Sequence, residues 1–156
     1  MILGDKKMNL IPYKIEFTNI QSAFANGTVE GFPFSKGYPV VLDLEADITI
    51  EINDVSIFDC PLTPIIELYL QLKKWFDYPI TNNFMYLSLE ACDPIFEVKK
   101  CNEQWYFISD FTKQKVRTEI NILSFKKSAS IFLANLEKKF EIIFDIELET
   151  LLTPFL

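Results

Sequence analysis

The run Val40-Val41-Leu42-Asp43-Leu44-Glu45-Ala46-Asp47-Ile48-Thr49-Ile50-Glu51-Ile52-Asn53 alternates without a fault. Every even position is apolar, and the odd positions after Val41 are acidic or polar. Side chains of a strand point to opposite faces in turn, so period two predicts a strand with one dry and one wet face. The wet face carries Asp43, Glu45, Asp47 and Glu51.

On the C-terminal side, Val55–Phe58 reads as a short strand and a helix follows. Thr63 can cap it by accepting a backbone N–H, and Pro64 suits its first position. Ile65, Leu68, Tyr69, Leu72, Trp75 and Phe76 recur at helical spacing, with Glu67, Gln71 and Lys74 on the wet side. Ile66 and Leu70 are apolar too, so more than half of this helix is expected to be covered. Lys73 and Lys74 suit the negative end of its dipole, and Pro79 enforces the stop.

Further on, Met85, Leu87 and Leu89 alternate with polar or aromatic neighbours, and Phe96 and Val98 alternate with Glu97 and Lys99. Cys101-Asn102-Glu103 predicts a turn, from which Trp105–Ile108 returns as a hairpin strand. Val116, Thr118, Ile120 and Ile122 give a last strand. Ser124 then caps a second helix, striped by Phe125, Ala129, Phe132, Leu133, Leu136, Phe140, Ile143 and Phe144, that runs to about Leu148.

On the N-terminal side, Tyr13–Phe17 alternate as a strand that Pro12 places at a sheet edge. Asn26-Gly27 predicts a tight turn and Thr28–Phe32 a weak strand. Residues 1–10 read as a loose leader.

Strands, helix, strands, helix, joined by short connections, predict an α+β fold. A single twisted, mainly antiparallel sheet of about six strands, with two helices packed on one face, is the economical arrangement. The opposite face would stay at least partly open. No linker or repeat divides the 156 residues, and the length favours one domain. Trp75 and Trp105 are expected in the core.

The net charge of −7 is local. From Gly37 to Leu72 there is no Lys or Arg but seven acids, Asp43, Glu45, Asp47, Glu51, Asp54, Asp59 and Glu67; elsewhere acids and bases balance. A wet face explains alternation, whereas random solvated faces mix signs. An acidic field repels nucleic acid and attracts a cationic protein.

The absence of histidine removes the commonest general base and the Ser-His and Cys-His pairs. Cys60, Cys92 and Cys101 lack metal-site spacing and read as free thiols. There is no Gly-rich phosphate loop, and the single arginine, Arg117, makes no phosphate cluster. Acids two apart on a strand stand roughly 7 Å from one another, a usable separation for paired carboxylates. An open row, however, supplies no cleft to raise a pKa. A non-enzymatic protein without metal or cofactor is expected. No run reaches the ~20 apolar residues of a membrane span, and the N-terminus lacks the apolar region of a signal peptide, so cytoplasmic residence is the expectation.

The run Asp59-Cys60-Pro61-Leu62-Thr63-Pro64-Ile65-Ile66-Glu67-Leu68, continuing to Lys74-Trp75-Phe76, resembles a helix of small bacterial proteins of uncharacterised or immunity type, often found beside polymorphic toxins. Pro94-Ile95-Phe96-Glu97-Val98 with Gln104-Trp105-Tyr106-Phe107-Ile108-Ser109 is similar to a hairpin of the same proteins, Gln104 standing where theirs has glycine. The resemblance implies a cognate inhibitor that blocks a toxin domain. Joined to the charge pattern, it predicts that Asp43, Glu45, Asp47 and Glu51, with Glu67 or Asp54 at the margin, face a basic partner. The abundant Phe and Ile leave two other readings open: a homo-oligomer of structural or regulatory role, or a small-ligand-binding protein with an aromatic pocket.

Overall fold

A computed structural model describes residues 13–22, 44–77, 82–88, 93–110, 115–145 and 147–152. The turn at Asn26-Gly27, the strand at Thr28–Phe32, the leader, Asp43 and Cys92 lie outside these residues.

The alternating run forms the middle of a three-stranded antiparallel sheet, sheet A, in the order β1 (Tyr13–Ser22), β2 (Leu44–Ile52), β3 (Val55–Pro64). Leu44, Ala46, Ile48 and Ile50 are 0–1% exposed, and Glu45, Asp47, Thr49 and Glu51 between them are half-buried. β2 turns into β3 through Asn53 and Asp54, both at positive φ (53° and 65°). That backbone suits the right-handed twist of a two-residue hairpin, and Asn and Asp tolerate it.

A second antiparallel sheet, sheet B, has four strands in chain order: β4 (Phe84–Tyr86), β5 (Phe96–Cys101), β6 (Gln104–Ser109) and β7 (Val116–Ile120). The expected turn at Asn102-Glu103 joins β5 to β6, again with both residues at positive φ. In β4 the dry side is Phe84 and Tyr86, while Met85 and Leu87 are exposed. Tyr86 is held inward by its hydroxyl, which donates to Pro64 O at 2.7 Å.

The fold is therefore α+β, but its sheet is not the single sheet of about six strands that the segment order suggested. Three and four strands form separate ladders, and β3 touches β7 without pairing to it. β3 explains the break. Its register against β2 shifts twice, and Leu62 sits at φ 51°. A strand bent by bulges presents no straight row of donors and acceptors to a further neighbour.

Helix α1 (Ile65–Phe76) leaves β3 without a loop. Thr63 does not cap it. It is still in the strand, opposite Ala46, and its hydroxyl donates to Cys60 O at 3.0 Å. Pro64 holds the cap position, with no side-chain hydrogen bond. The covered arc of α1 is broad, as expected, but it takes in Glu67, which is not on the wet side.

Helix α2 (Ile122–Phe144) is capped by Asn121, whose side chain accepts the Ser124 N–H at 2.9 Å. Ser124 is thus inside the first turn rather than the cap, and Ile122 belongs to the helix rather than to β7. Asp145 ends α2 in the left-handed conformation, φ 56°, so the helix does not run on to Leu148. A separate short turn, α3 (Leu148–Leu151), follows.

Both sheets and the helices share one contiguous core. Phe58 of sheet A meets Phe96 and Phe107 of sheet B at 5.4 and 5.7 Å. Trp75 lies tilted against Phe84 at 5.0 Å and edge-on to Phe125 at 6.5 Å, and Phe17 meets Phe132 edge-on at 5.7 Å. Trp75 and Trp105 are buried, as their sequence context predicted.

Candidate functional site

Pairing in sheet A fixes which side chains share the outer face. Lys14 lies opposite Glu51, Glu16 opposite Thr49, and Thr18 opposite Asp47. On the other side Asp59 lies opposite Thr49 and Ser56 opposite Glu51. Glu45, Asp47 and Glu51 are therefore joined by Glu16 and Asp59 on one surface, with exposed Asp54 in the turn at its end. Glu16 and Asp59 flank Thr49 at two strand spacings, roughly 10 Å apart. Lys14 is the one cation of this face among the described residues. No ion pair engages Glu16, Glu51, Asp54 or Asp59 among the described residues.

The predicted acids are not equivalent. Asp47 faces a bulge on each side: β1 shifts register between Thr18 and Gln21, and β3 shifts beside Leu62. Asn19 and Leu62 both take positive φ there, 56° and 51°. Leu62 pays for that conformation with a clash that Asn19 largely escapes. One carboxylate serves both bulges. Asp47 Oδ2 accepts from Asn19 Nδ2 at 2.8 Å, and its Oδ1 accepts from the Leu62 N–H at 3.1 Å. The Asn19 amide first, and then the Leu62 N–H, hold the Asp47 carboxyl below the usual carboxylate range. Asp47 is thus a clamp as well as a charge.

A folded-state pKa below the unfolded one gives stability that is full above the unfolded value and lost as pH falls through the folded one. Asp47→Asn is expected to be less stable than the wild type at pH 7. The difference should shrink once pH drops below about 4, the unfolded value of Asp. Urea midpoints for both proteins at pH 7, 4 and 2.5 check this, and a pH-independent difference would count against the clamp.

Glu67 is elsewhere altogether. It is 3% exposed and accepts from Ser88 Oγ at 2.7 Å, so it cannot stand at the margin of a contact face. Sequence reasoning counted Asp59 in the acidic field without setting it beside β2, and gave Glu16 no place there. Each alternates correctly within its own strand, but only the pairing register brings them beside β2.

Sheet B offers a control surface. Its outer face carries Glu97, Lys99, Tyr106, Arg117 and Glu119. Lys99 lies 3.8 Å from Glu97, and the Arg117 guanidinium stacks 4.2 Å from the centre of the Tyr106 ring. Charge there is balanced. The acidic excess belongs to sheet A.

A groove of about 430 Å³ between α1 and α2 also carries charge, but those groups hold helices together. Lys73 bridges Glu137 at 3.4 Å and Glu149 at 3.2 Å, and the Tyr69 hydroxyl donates to Glu137. Burial alone would lower the Lys73 pKa, but Glu149 and Glu137 outweigh it and hold the ammonium above its ordinary value. Among the described residues no three His, Cys, Asp or Glu side chains converge as metal ligands. Burial pushes the Cys60 thiol up, away from the reactive thiolate. No helix among the described residues is long and apolar enough to cross a membrane.

No curated protein and no solved structure matches the chain. A family model does match, over residues 16–142, from within β1 to near the end of α2.

Proposed function

The chain belongs to the DUF7878 family, a domain of unknown function, and we propose that it is a non-enzymatic binding protein whose outer sheet A face docks a cationic protein. The observation that carries this reading is the difference between the two sheets. Among the described residues one outer face gathers Glu16, Glu45, Asp47, Glu51 and Asp59 with a single lysine, while the other balances its charges. Complementary charge steers encounter and raises the association rate more than it raises affinity. The resemblance to immunity-type proteins supports a finer version: the partner is a toxin domain with a basic substrate groove, occluded in the cytoplasm by this face.

The test uses an immobilised cationic nuclease domain as the probe. Glu51→Lys with Asp59→Lys is expected to slow association about ten-fold at low ionic strength, with the wild-type rate falling as salt rises. Glu97→Lys with Glu119→Lys, the same charge change on sheet B, should leave the rate within about two-fold. Asp47 is left intact because it also holds the bulges. Equal rates for both double variants would remove the sheet A face from the function.

A further inference from the structure

We propose that the edge of β1 to which no described residue pairs is a strand-addition site for an extended segment of the cationic partner, one whose residues alternate between basic and apolar. This rests on the acidic-face reading and specifies how the partner is held.

β1 ends sheet A, and among the described residues it pairs with β2 alone. In a strand every second residue turns its N–H and C=O to the same edge. Tyr13 O points away from β2, since it accepts from Ser128 Oγ of α2 at 2.7 Å. Ile15 and Phe17, two and four residues on, direct their main-chain groups to that same edge. No described residue outside the β1–β2 ladder bonds to them.

Helix α2 does not close over this edge. It is fastened to the start of β1, where the Asn121 N–H donates to the Tyr13 hydroxyl at 2.9 Å, and Phe132 packs on Phe17. Beyond that point a groove of about 540 Å³ lies between them, lined by every residue from Ile15 to Ile20 and by Asn135 and Lys139 of α2. Strand edge on one side and helix on the other is the geometry in which an extended peptide adds to a sheet, with main-chain bonds giving affinity and alternate side chains giving specificity.

The two faces of sheet A dictate the alternation. Side chains of an added strand on the outer face would lie beside Lys14, Glu16 and Thr18, with Asp59, Asp47 and Glu51 behind them, and the net negative charge of that face selects cations. Those on the inner face would lie beside Ile15 and Phe17, and this selects apolar groups. Lys139 lines the α2 wall of the same groove, across from β1. The bulge at Asn19 ends regular pairing after Thr18, so the segment is short. A second copy of β1 paired about Glu16 would set that acid against its own equivalent, whereas pairing about Ile15 would set Lys14 against Glu16, and the oligomeric state tests that occupant.

The probe is a ten-residue peptide of alternating Lys and Val, titrated against the full chain by fluorescence anisotropy. A second peptide carries N-methyl groups on the residues that would donate to the edge, which leaves charge unchanged. The expected result is at least about ten-fold weaker binding of the methylated peptide. Slowed amide exchange at Ile15 and Phe17 in the presence of the first peptide should accompany it. Glu16→Lys, an exposed change that spares the ladder, should weaken the first peptide about five-fold. Equal binding of both peptides would overturn strand addition while leaving an acidic docking face in place. Amides of Ile15 and Phe17 already protected in a sedimenting dimer would overturn it in favour of self-pairing. Discrimination between the peptides together with equal rates for the two double variants would keep the groove and discard the face.

Discussion

Phe107→Ala is expected to cost about 3–5 kcal/mol of folding free energy, the range for deleting a buried aromatic side chain. Phe107 is fully buried in the middle of β6. Its ring lies 5.7 Å from Phe58, 4.9 Å from Phe96 and 6.2 Å from Phe125. One side chain therefore joins sheet A, sheet B and α2. Since β3 and β7 share no ladder, no main-chain hydrogen bonding between the sheets compensates for a void at this point. Domains of this size lose roughly 2–4 °C of melting temperature per kcal/mol, which predicts a fall of roughly 6–20 °C. Tyr106→Ala, one residue away on the outer face, should cost about 1 kcal/mol or less, because it loses mainly the stacking on Arg117. Thermal melts of the two variants check the contrast. Equal losses would mean that the sheets are not joined through this ring.

Glu67→Ala is expected to cost about 2–3 kcal/mol, because it removes a buried carboxyl that accepts a hydrogen bond from the Ser88 hydroxyl. Glu67 also sits in the first turn of α1, where an acid opposes the positive end of the helix dipole. Glu67→Gln keeps an acceptor for the Ser88 hydroxyl and should cost about half as much. Ser88→Ala in the Glu67→Ala background should cost less than in the wild type, since the bond to Glu67 is already gone. Urea midpoints of the three variants give the measurement. A neutral Glu67→Ala would mean that this carboxyl does not anchor the chain leaving β4 to α1.

Glu67 also shows why part of the site was hidden in the sequence. Helical spacing located α1, and the apolar neighbours Ile66 and Leu70 already implied a covered arc wider than one stripe. Glu67 lies about 60° beyond Leu70 around the helix, where the cover still reaches it, and its charge alone suggested water. The strand β2 and its two faces were legible because alternation is a local property. The two-residue turn at Asn102-Glu103 was legible for the same reason. The split into two sheets was not, because it depends on two bulges in β3, one of them at Leu62 with its positive φ, a residue type that gives no warning of it. The clamp at Asp47 was hidden by the same bulges. Both helix caps were misplaced by the side chain chosen: Thr63 bonds back into its strand, and Asn121 does what Ser124 was expected to do. Glu16 and Asp59 joined the acidic face only through register, which one strand's pattern cannot supply.

The tie between Tyr13 and Ser128 spans 115 residues. On a ribosome adding about 5–20 residues per second, the two ends of that bond are made roughly 6–23 s apart. Through that interval the nascent first strand has its Phe17 side bare, because Phe132 has not yet been translated. The oily underside of the newborn strand is then open to chaperones, and its final seat is taken only when the last long helix leaves the exit tunnel.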